Sequence, residues 1–435
     1  MRVTNRKNIS FALVLVFLLF VMCGCSGIAK GITQAFLENA ETEDTRKCEV
    51  TGRAFSGLEH YLNNPSYYEV DGIIRPSTLK ILMVHGIGSH QPGYSTRLAE
   101  NLARKLDLNQ IAENPKRILL RSDQTLRKDL GYLILQRYLN IQSGKEMIFA
   151  ELTWDSIVER EKSALDYDNS GEYKFRRANI NNSLKLFVNQ TIPDVLMYNG
   201  TSKLDIQLAI GQSMCWLLGY DWMDLPHGEY VCNTENSESL SRVNDDVVFI
   251  THSLGSRIVT DVLQLIAAKV SAKARTDSGY LLKKTILQQK EFPIFMLSNQ
   301  LPLLQLGQDQ PQVTNKIDSI CSPDGQEQGE RMFREVKLIA FSDPNDVFSY
   351  AISRTFLNGH MDSRLCPTLT NIMLNVAPIK TVLGNEFANP LSAHTEYDSD
   401  ERVLDLLTFG IGQPESTELI NNHCRWVETI LQKKN

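Results

Sequence analysis

The feature that most constrains the fold is an alternation, along most of the chain, of short apolar runs and longer amphipathic stretches. The apolar runs are rich in β-branched and aromatic residues and have the length of buried strands. This order is typical of crossover units, in which helices cover a mostly parallel sheet. The predicted strands span residues 79–85, 147–154, 247–251, 292–297, 336–341 and 372–377, and helices follow at 94–106, 253–269 and 401–407.

Length and charge set the broad class. A chain of 435 residues, 42% of them hydrophobic, can bury a full core and favours one large domain with insertions. Its net charge of −6 offers no clustered basic face, so nucleic acid is not an expected partner. The predicted fold class is therefore α/β, with a mostly parallel central sheet flanked by helices.

The first residues have the pattern of a secretory signal. Three basic residues within the first seven positions precede an apolar run at residues 11–22, which stops at a Cys-Gly-Cys-Ser segment. The run has about a dozen residues, whereas a bilayer span needs about twenty, so a permanent transmembrane helix is disfavoured. We therefore expect residues 1–24 to be a signal peptide.

The end of this signal resembles the bacterial lipoprotein box, because small Gly24 stands directly before Cys25. The resemblance implies that the signal is cut before Cys25 and that this residue receives lipid, which anchors the protein to a membrane. Ser26 then implies the outer membrane, with the domain facing the periplasm. Cys23 is a poorer candidate because bulky Met22 would occupy its cleavage position; an uncleaved signal anchor and ordinary cleavage remain open.

The residues after the anchor are polar and lack sustained periodicity, so residues 25–65 are predicted to be the lipidated N-terminus and a stalk. The mature chain then holds an even number of further cysteines, which an oxidising compartment permits to form disulfides, although six cysteines allow fifteen pairings. None of them has metal-ligand spacing, which disfavours a zinc site. These cysteines are Cys48, Cys215, Cys232, Cys321, Cys366 and Cys424.

Residues 245–259 join a buried strand directly to an amphipathic helix, with Ser253 at the junction. Such a turn exposes a serine hydroxyl above the sheet, and it needs small residues two positions before and after the serine. Gly255 meets this requirement, whereas Thr251 departs from the usual glycine. The plainer interpretation is that Ser253 only caps the helix. Thr-His-Ser-Leu-Gly nevertheless resembles the nucleophile elbow of α/β-hydrolase lipases and esterases.

The resemblance implies an oxyanion hole made of two backbone amides. Leu254, the residue after the nucleophile, would supply one of them. The other would come from Ile87, because the strand at 79–85 ends in a His-Gly turn like that of the family. Gly86 and Gly88 would allow the backbone dihedrals that this loop requires, and His85 would order the loop.

The family also places an acid after a later strand, where it orients the catalytic histidine. Two aspartates follow the strand at 336–341. Asp346 is preferred, because an aspartate followed by an apolar residue several positions beyond the strand resembles the family's acid loop. Asp343 precedes a proline in an extended turn and is the alternative acid.

The family's order of serine, acid and histidine requires a histidine beyond the acid. His394 is the expected base, because it lies between the last predicted strand and the helix that begins near residue 401. His360 precedes that strand and His423 lies in a C-terminal helix, so both are expected to be surface or packing residues. His252 is adjacent to the nucleophile, and its side chain should point away from the serine.

The resemblance implies a serine hydrolase that cleaves carboxylic esters, possibly of lipids, through an acyl-enzyme and without a metal or organic cofactor. Residues 66–435 would form the hydrolase domain. Within it, an insertion at 155–245 carries two helical segments, 184–198 and 204–218, and is either a lid or a part of the packed core. The polar residues 308–330 are expected to form a surface loop. Amidases, thioesterases and acyltransferases use the same triad, and a non-catalytic envelope lipoprotein is the rival class.

Overall fold

The computed structural model describes residues 47–65, 67–70, 73–111, 115–122, 128–169, 177–232, 245–382 and 385–427. The predicted signal peptide and Cys25 lie outside the described residues. Across these ranges, no helix combines the length and the apolar character needed to cross a bilayer.

Strands occur from the beginning to the end of the described chain. They are β1 Cys48–Gly52, β2 Phe55–Ser56, β3 Tyr67–Val70, β4 Ile73–Pro76, β5 Leu79–Val84, β6 Asn109–Gln110, β7 Lys116–Arg121, β8 Asp129–Asn140, β9 Lys145–Thr153, β10 Gly228–Tyr230, β11 Asp246–His252, β12 Glu291–Leu297, β13 Glu335–Ser342, β14 Pro367–Leu374, β15 Lys380–Val382, β16 Asn385–Phe387, β17 Gly410–Ile411 and β18 Cys424–Trp426.

The α-helices connect these strands and cover both faces of the sheet. They are α1 Leu58–Asn63, α2 Thr96–Lys105, α3 Ser156–Lys162, α4 Asn179–Tyr198, α5 Lys203–Gly219, α6 Leu254–Lys273, α7 Ser278–Leu287, α8 Leu301–Leu304, α9 Ile317–Cys321, α10 Arg354–His360, α11 Pro390–Thr395, α12 Glu401–Phe409 and α13 Glu418–His423.

The main sheet formed by the described residues has 12 strands, in the order β10-β7-β8-β9-β5-β11-β12-β13-β14-β1-β18, with β6 paired to β8. Its middle, from β9 to β14, is parallel throughout. Antiparallel pairs occur toward the two sides, at β7–β8, β8–β9 and β1–β14. The α/β class with helices on both faces of a large sheet is therefore confirmed, and the sheet as a whole is mixed.

The pleat of the central strands divides the apolar residues between two cores. Leu82 and Val84 of β5 belong to one buried cluster, whereas Ile81 and Met83 belong to the other. Because side chains alternate across a strand, a run that is apolar at every position fills both faces. Helices α5 and α6 cover the first core, and α2 and α12 cover the second.

Residues 47–65 require a correction, because the sequence assigned them to the stalk. β1 pairs with β14 and β18 in the main sheet, and Cys48 is disulfide-bonded to Cys424. Helix α1 buries Leu58, Tyr61 and Leu62 in the second core. This segment was missed because its strand has only five residues and its pairing partners lie more than 300 residues away along the chain. The folded domain therefore includes residues 47–65.

The insertion at 155–245 is largely helical in its described part. Helix α5 packs against the sheet, and Ile206, Ile210 and Trp216 are buried in the first core. Helix α4 is different, because it leaves Ile192 and Leu196 44% and 66% exposed. One half of the insertion therefore belongs to the packed core, and the other half presents apolar side chains to the outside.

The six cysteines of the folded part form three disulfides. Besides Cys48–Cys424, Cys215 of α5 is bonded to Cys232 within the insertion, and Cys321 is bonded to Cys366. The last bond ties the polar segment 308–330 to the residue that directly precedes β14.

Candidate active site

Ser253 lies between the last residue of β11 and the first residue of α6, with no loop between the two elements. Its backbone has φ 54° and ψ −121°, a conformation that L-residues rarely adopt. The Ser253 amide donates to the carbonyl of Leu297 at 3.0 Å, which ties the turn to the end of β12. The strand-to-helix turn expected from the sequence is therefore present, and its backbone is strained at the serine.

Two glycines allow this turn to form. A Cβ atom at Gly86 would lie 2.5 Å from the Cβ of Ser253, and a Cβ at Gly255 would lie 2.5 Å from the carbonyl oxygen of Val84. Both separations are far below van der Waals contact. Position 251 tolerates a larger residue, because the Thr251 hydroxyl is hydrogen-bonded to the hydroxyl of Ser256 at 2.9 Å within a fully buried site.

The hydroxyl of Ser253 is buried and has no hydrogen-bond partner among the described residues. It lies at the N-terminus of a 20-residue helix, where backbone amides and the helix dipole stabilise negative charge. The local environment therefore favours an alkoxide or an oxyanion at this position.

His394 and Asp346 meet directly. The Nδ1 atom of His394 lies 2.9 Å from Oδ2 of Asp346, while Oδ1 of the same carboxylate accepts the Phe348 amide at 2.9 Å. Burial raises the pKa of Asp346, but the hydrogen bond and charge of His394 and the hydroxyl of Ser298 lower it further, so the pKa lies below its ordinary value. The carboxylate is therefore ionised at neutral pH, as a group that orients an imidazole must be.

Asp343, the alternative acid, has a different set of partners. One of its carboxylate oxygens accepts the amides of Val376 and Ala377, and the other accepts both the amide and the side-chain nitrogen of Asn345. Burial raises its pKa. Within the described residues Asp343 has no contact with a histidine, and it shapes the loop that carries Asp346.

The other histidines fall where the sequence placed them. His360 packs on Phe356 in α10, and Nδ1 of His423 is hydrogen-bonded to the Leu419 carbonyl in α13. His252 is more informative, because its Nε2 donates to the backbone carbonyl of His394 at 2.7 Å. Burial and the nearby His394 lower the pKa of His252 to about 4, so it holds the end of helix α11, which carries His394, as a neutral donor.

The proposed oxyanion loop follows β5, and its conformation is fixed from two sides. Gly88, with φ 98°, donates its amide to Oδ2 of Asp194 at 2.7 Å. Asp194 belongs to α4 of the insertion, is fully buried and is paired with Lys162 of α3 at 2.5 Å. Ile87 packs against the first core at its edge. The insertion therefore contacts the loop containing the Ile87 amide through Asp194.

His85 supports the same loop from the sheet side. Its ring stacks on Trp154 at 4.8 Å and on His90 at 4.1 Å. Nε2 of His85 lies 2.9 Å from Oδ1 of Asp155 and 3.2 Å from the Trp154 amide nitrogen. Burial raises the pKa of Asp155, but its contacts with His85 and with the His90 amide lower it below the ordinary value. This agrees with the expectation that His85 orders the loop.

Among the described residues, one group has the side chains and the spacing that could hold a metal ion. The possible ligand atoms of His85, His90 and Asp155 all lie within 4.8 Å of one another. The rings of His85 and His90 are stacked with an angle of 26° between their planes. Because the nitrogen lone pairs lie in the ring planes, they run side by side and do not converge on one metal position. Both nitrogens of His85 already have protein partners, because Nδ1 lies 2.9 Å from the Gly86 carbonyl and Nε2 lies 2.9 Å from Asp155. The stack is therefore explained by its role in supporting the loop.

Ser298 is a residue of this site that sequence reasoning missed. Its hydroxyl lies 2.7 Å from Oδ2 of Asp346 and 2.8 Å from Nδ1 of His394. The available signal was its position directly after the buried strand at 292–297, since residues at the carboxyl ends of parallel strands gather at one edge of a sheet. The structure thus brings together His394, Asp346 and Ser298. Ser253 is tied to the same edge of the sheet through its amide, which donates to Leu297, the residue before Ser298.

No protein-family model matches this chain, and comparisons with curated proteins and with solved structures find nothing similar to it.

Proposed function

We propose that this protein is a serine hydrolase that cleaves carboxylic esters, with Ser253 as the nucleophile, His394 as the base and Asp346 as the acid. The observation that carries the proposal is the strained backbone of Ser253, because strain of this kind persists where the surrounding fold and a function require it. The direct contact between His394 and Asp346 supplies the second half of a triad.

The roles follow from the chemistry of acyl transfer. Nε2 of His394 takes the proton of Ser253, and the serine oxygen attacks the ester carbonyl. The amides of Ile87 and Leu254 donate to the oxyanion of the tetrahedral intermediate. The imidazolium then returns the proton to the leaving alcohol, and water hydrolyses the acyl-enzyme by the same route. These steps use only groups of this chain and need no metal or organic cofactor.

The order of the catalytic groups supports an α/β-hydrolase architecture. The nucleophile follows β11, the acid follows β13 and the histidine follows β14, all at the carboxyl edge of the parallel part of the sheet. In this interpretation α3 and α4 of the insertion form a lid. The hydrogen bond from the Gly88 amide to Asp194 of α4 supports a lid, and so does the complete burial of Ser253.

The substrate class follows from the proposed anchor. Lipid attached at Cys25 would hold the domain at the outer membrane, facing the periplasm. The 21 residues between Cys25 and Lys47 give 22 Cα-to-Cα steps, which reach at most about 75 Å when extended. Membrane lipids and other acylated envelope molecules lie within that distance. An acyl ester of a lipid is therefore the substrate we favour.

A fluorophosphonate probe tests the proposal, because it reacts covalently with activated serines. We expect the full chain in detergent to be labelled and to hydrolyse phospholipids or short-chain p-nitrophenyl esters. Ser253→Ala should abolish labelling and lower kcat by about 10⁵-fold or more. Ser271→Ala is the matched control: this buried serine lies in the same helix and has no hydrogen-bond partner among the described residues. Its labelling and kcat should stay at the wild-type level.

One observation favours a second candidate, a non-catalytic lipoprotein that uses the same scaffold for binding. The side chain of Ser253 is fully buried, so a substrate reaches it only after the structure opens. Folded protein that shows neither labelling nor hydrolysis in detergent would support this candidate and overturn the proposed enzyme. Faster hydrolysis of an amide or a thioester than of the matched ester would instead assign the triad to an amidase or a thioesterase.

A further inference from the structure

Three polar groups meet at one point beside the proposed base. Oγ of Ser298, Oδ2 of Asp346 and Nδ1 of His394 form a triangle with sides of 2.7, 2.8 and 2.9 Å. Ser298 is completely buried. The hydroxyl therefore contacts both the acid and the histidine of the proposed triad.

The backbone places Ser298 between the strands of the nucleophile and of the acid. The residue before it, Leu297, accepts the amide of Ser253 at 3.0 Å, and the residue after it, Asn299, donates its amide to Phe341 of β13 at 3.0 Å. Ser298 itself has φ 51°, in the left-handed region that costs a non-glycine residue about 1 kcal/mol or more. Its position is thus fixed on both sides, and the hydroxyl is held there at a cost.

The protons can be assigned in one consistent way. The Ser298 hydroxyl donates to Oδ2 of Asp346, since the ionised carboxylate has no proton to give. The Nδ1 proton of His394 is then shared between that carboxylate oxygen and the Ser298 oxygen. With Nδ1 protonated, Nε2 of the neutral ring carries the lone pair, which is the tautomer a general base needs.

We infer that Ser298 is a positioning residue of this site, whose hydroxyl fixes the Asp346 carboxylate and the ring of His394 in the orientation and tautomer for proton transfer. The inference rests on the proposed function for its catalytic consequence. We assign Ser298 no contact with the substrate, because it acts through His394 and Asp346.

Removal of the hydroxyl should affect turnover and leave substrate binding intact. In Ser298→Ala we expect kcat to fall about 10- to 100-fold, since small misplacements of a catalytic group have effects of this size. KM should change less than about 3-fold. The acid limb of the kcat/KM profile should move to higher pH, because Asp346 loses a donor that partly neutralises its charge and so attracts the imidazolium more strongly.

Two variants separate this role from local structure. Ser298→Gly also removes the hydroxyl but relieves the positive φ, so it should be as slow as Ser298→Ala although its backbone is less strained. Ser342→Ala is the matched control: Ser342 is a completely buried serine at the end of β13 whose hydroxyl has no partner among the described residues. It should keep the kcat and the pH profile of the wild type. Wild-type kcat in either Ser298 variant would overturn the inference.

A second readout does not depend on turnover. In full-length Ser253→Ala protein labelled with ¹⁵N-histidine, the Nδ1 proton of His394 should give a downfield resonance that disappears in His394→Asn. Addition of Ser298→Ala should shift this resonance or speed its exchange with water, whereas addition of Ser342→Ala should leave it unchanged. An unchanged resonance after loss of the Ser298 hydroxyl would overturn the inference. If the resonance changes but the protein that retains Ser253 has no esterase activity, the inference stands and the proposed function is rejected.

Discussion

At the scale of single residues, backbone strain and chemistry coincide. Non-glycine residues with positive φ are rare among the described residues, yet they include Ser253 and Ser298, which end two adjacent strands of the sheet. The Ser298 hydroxyl contacts both Asp346 and His394, and Ser253 follows the neighbouring strand, β11. Because a strained conformation persists only where its surroundings impose it, this pairing favours a functional origin over chance.

His252 gives a pH dependence of stability that can be predicted with its sign. Its pKa is lowered to about 4 by burial and by His394, so the folded protein excludes a proton that the unfolded chain binds below about pH 6.5. Stability from this residue is complete above pH 6.5 and is lost as the pH falls toward 4, by at most about 3 kcal/mol. Urea unfolding of the wild type should therefore show a falling free energy across this window.

His252→Gln can still donate to the His394 carbonyl but cannot titrate. Its free energy of unfolding should fall less than that of the wild type between pH 6.5 and 4. The control is His60→Gln, because His60 is exposed. This variant should show the same dependence of unfolding free energy on pH as the wild type. Equal slopes for wild type and His252→Gln would contradict the buried neutral histidine.

The sequence predicts the three residues of the proposed triad better than it predicts the residues that hold them and the neighbouring loop in place. Ser253 lies in a local strand-to-helix pattern, and the order of acid and histidine limits the later candidates to a few. Ser298 and Asp194 escape such reasoning, because their contacts arise only when segments more than 40 residues apart along the chain converge in space. A serine after a strand or an aspartate in a helix has no sequence pattern that distinguishes it from its many equivalents.

At the scale of elements, the predicted strands are those buried on both faces. The six predicted strands correspond to β5, β9, β11, β12, β13 and β14, although β14 spans Pro367–Leu374 and thus begins earlier than the predicted 372–377. The missed strands β1, β7 and β8 lie toward the sides of the sheet. There the burial alternates or includes half-exposed positions, so the apolar runs are interrupted and do not stand out from the surrounding chain.

The insertion and the loop that contains Ile87 are linked through one carboxylate, Asp194. Asp194→Asn removes the charge that holds the Gly88 amide and leaves Lys162 without its carboxylate partner. We expect kcat/KM for an ester to fall about tenfold, as the loop of Ile87 loses its fixed position. The free energy of unfolding should fall by roughly 2 kcal/mol, which urea denaturation measures.

Asp205→Asn is the matched control for this variant. Asp205 lies in α5 of the same insertion and pairs with Lys128, but it is partly exposed and has no contact with the oxyanion loop among the described residues. Its kcat/KM should equal that of the wild type. If Asp194→Asn folds and keeps wild-type kcat/KM, the insertion does not position the loop.

At the scale of the whole molecule, the two ends of the described chain close the same side of the sheet. Strands β1 and β18 are neighbours there, and the Cys48–Cys424 disulfide joins them covalently. The chain that leads back from Lys47 toward Cys25 therefore starts at the sheet and not at a free stalk. A membrane anchor at Cys25 would hold the domain by this side.

Substitution of the proposed lipid acceptor tests this arrangement. Cys25→Ser removes the sulfur that would carry diacylglycerol, so the protein should move from the membrane fraction to the soluble periplasmic fraction when cells are fractionated. Cys23→Ser, two positions away, should leave the protein in the membrane fraction. The proposed catalytic groups are more than 200 residues from the proposed anchor, so kcat on a soluble short-chain ester should be the same in all three proteins. Hydrolysis of vesicle-bound phospholipid should drop in Cys25→Ser alone. Retention of Cys25→Ser in the membrane would instead assign the attachment to an uncleaved apolar segment at residues 11–22.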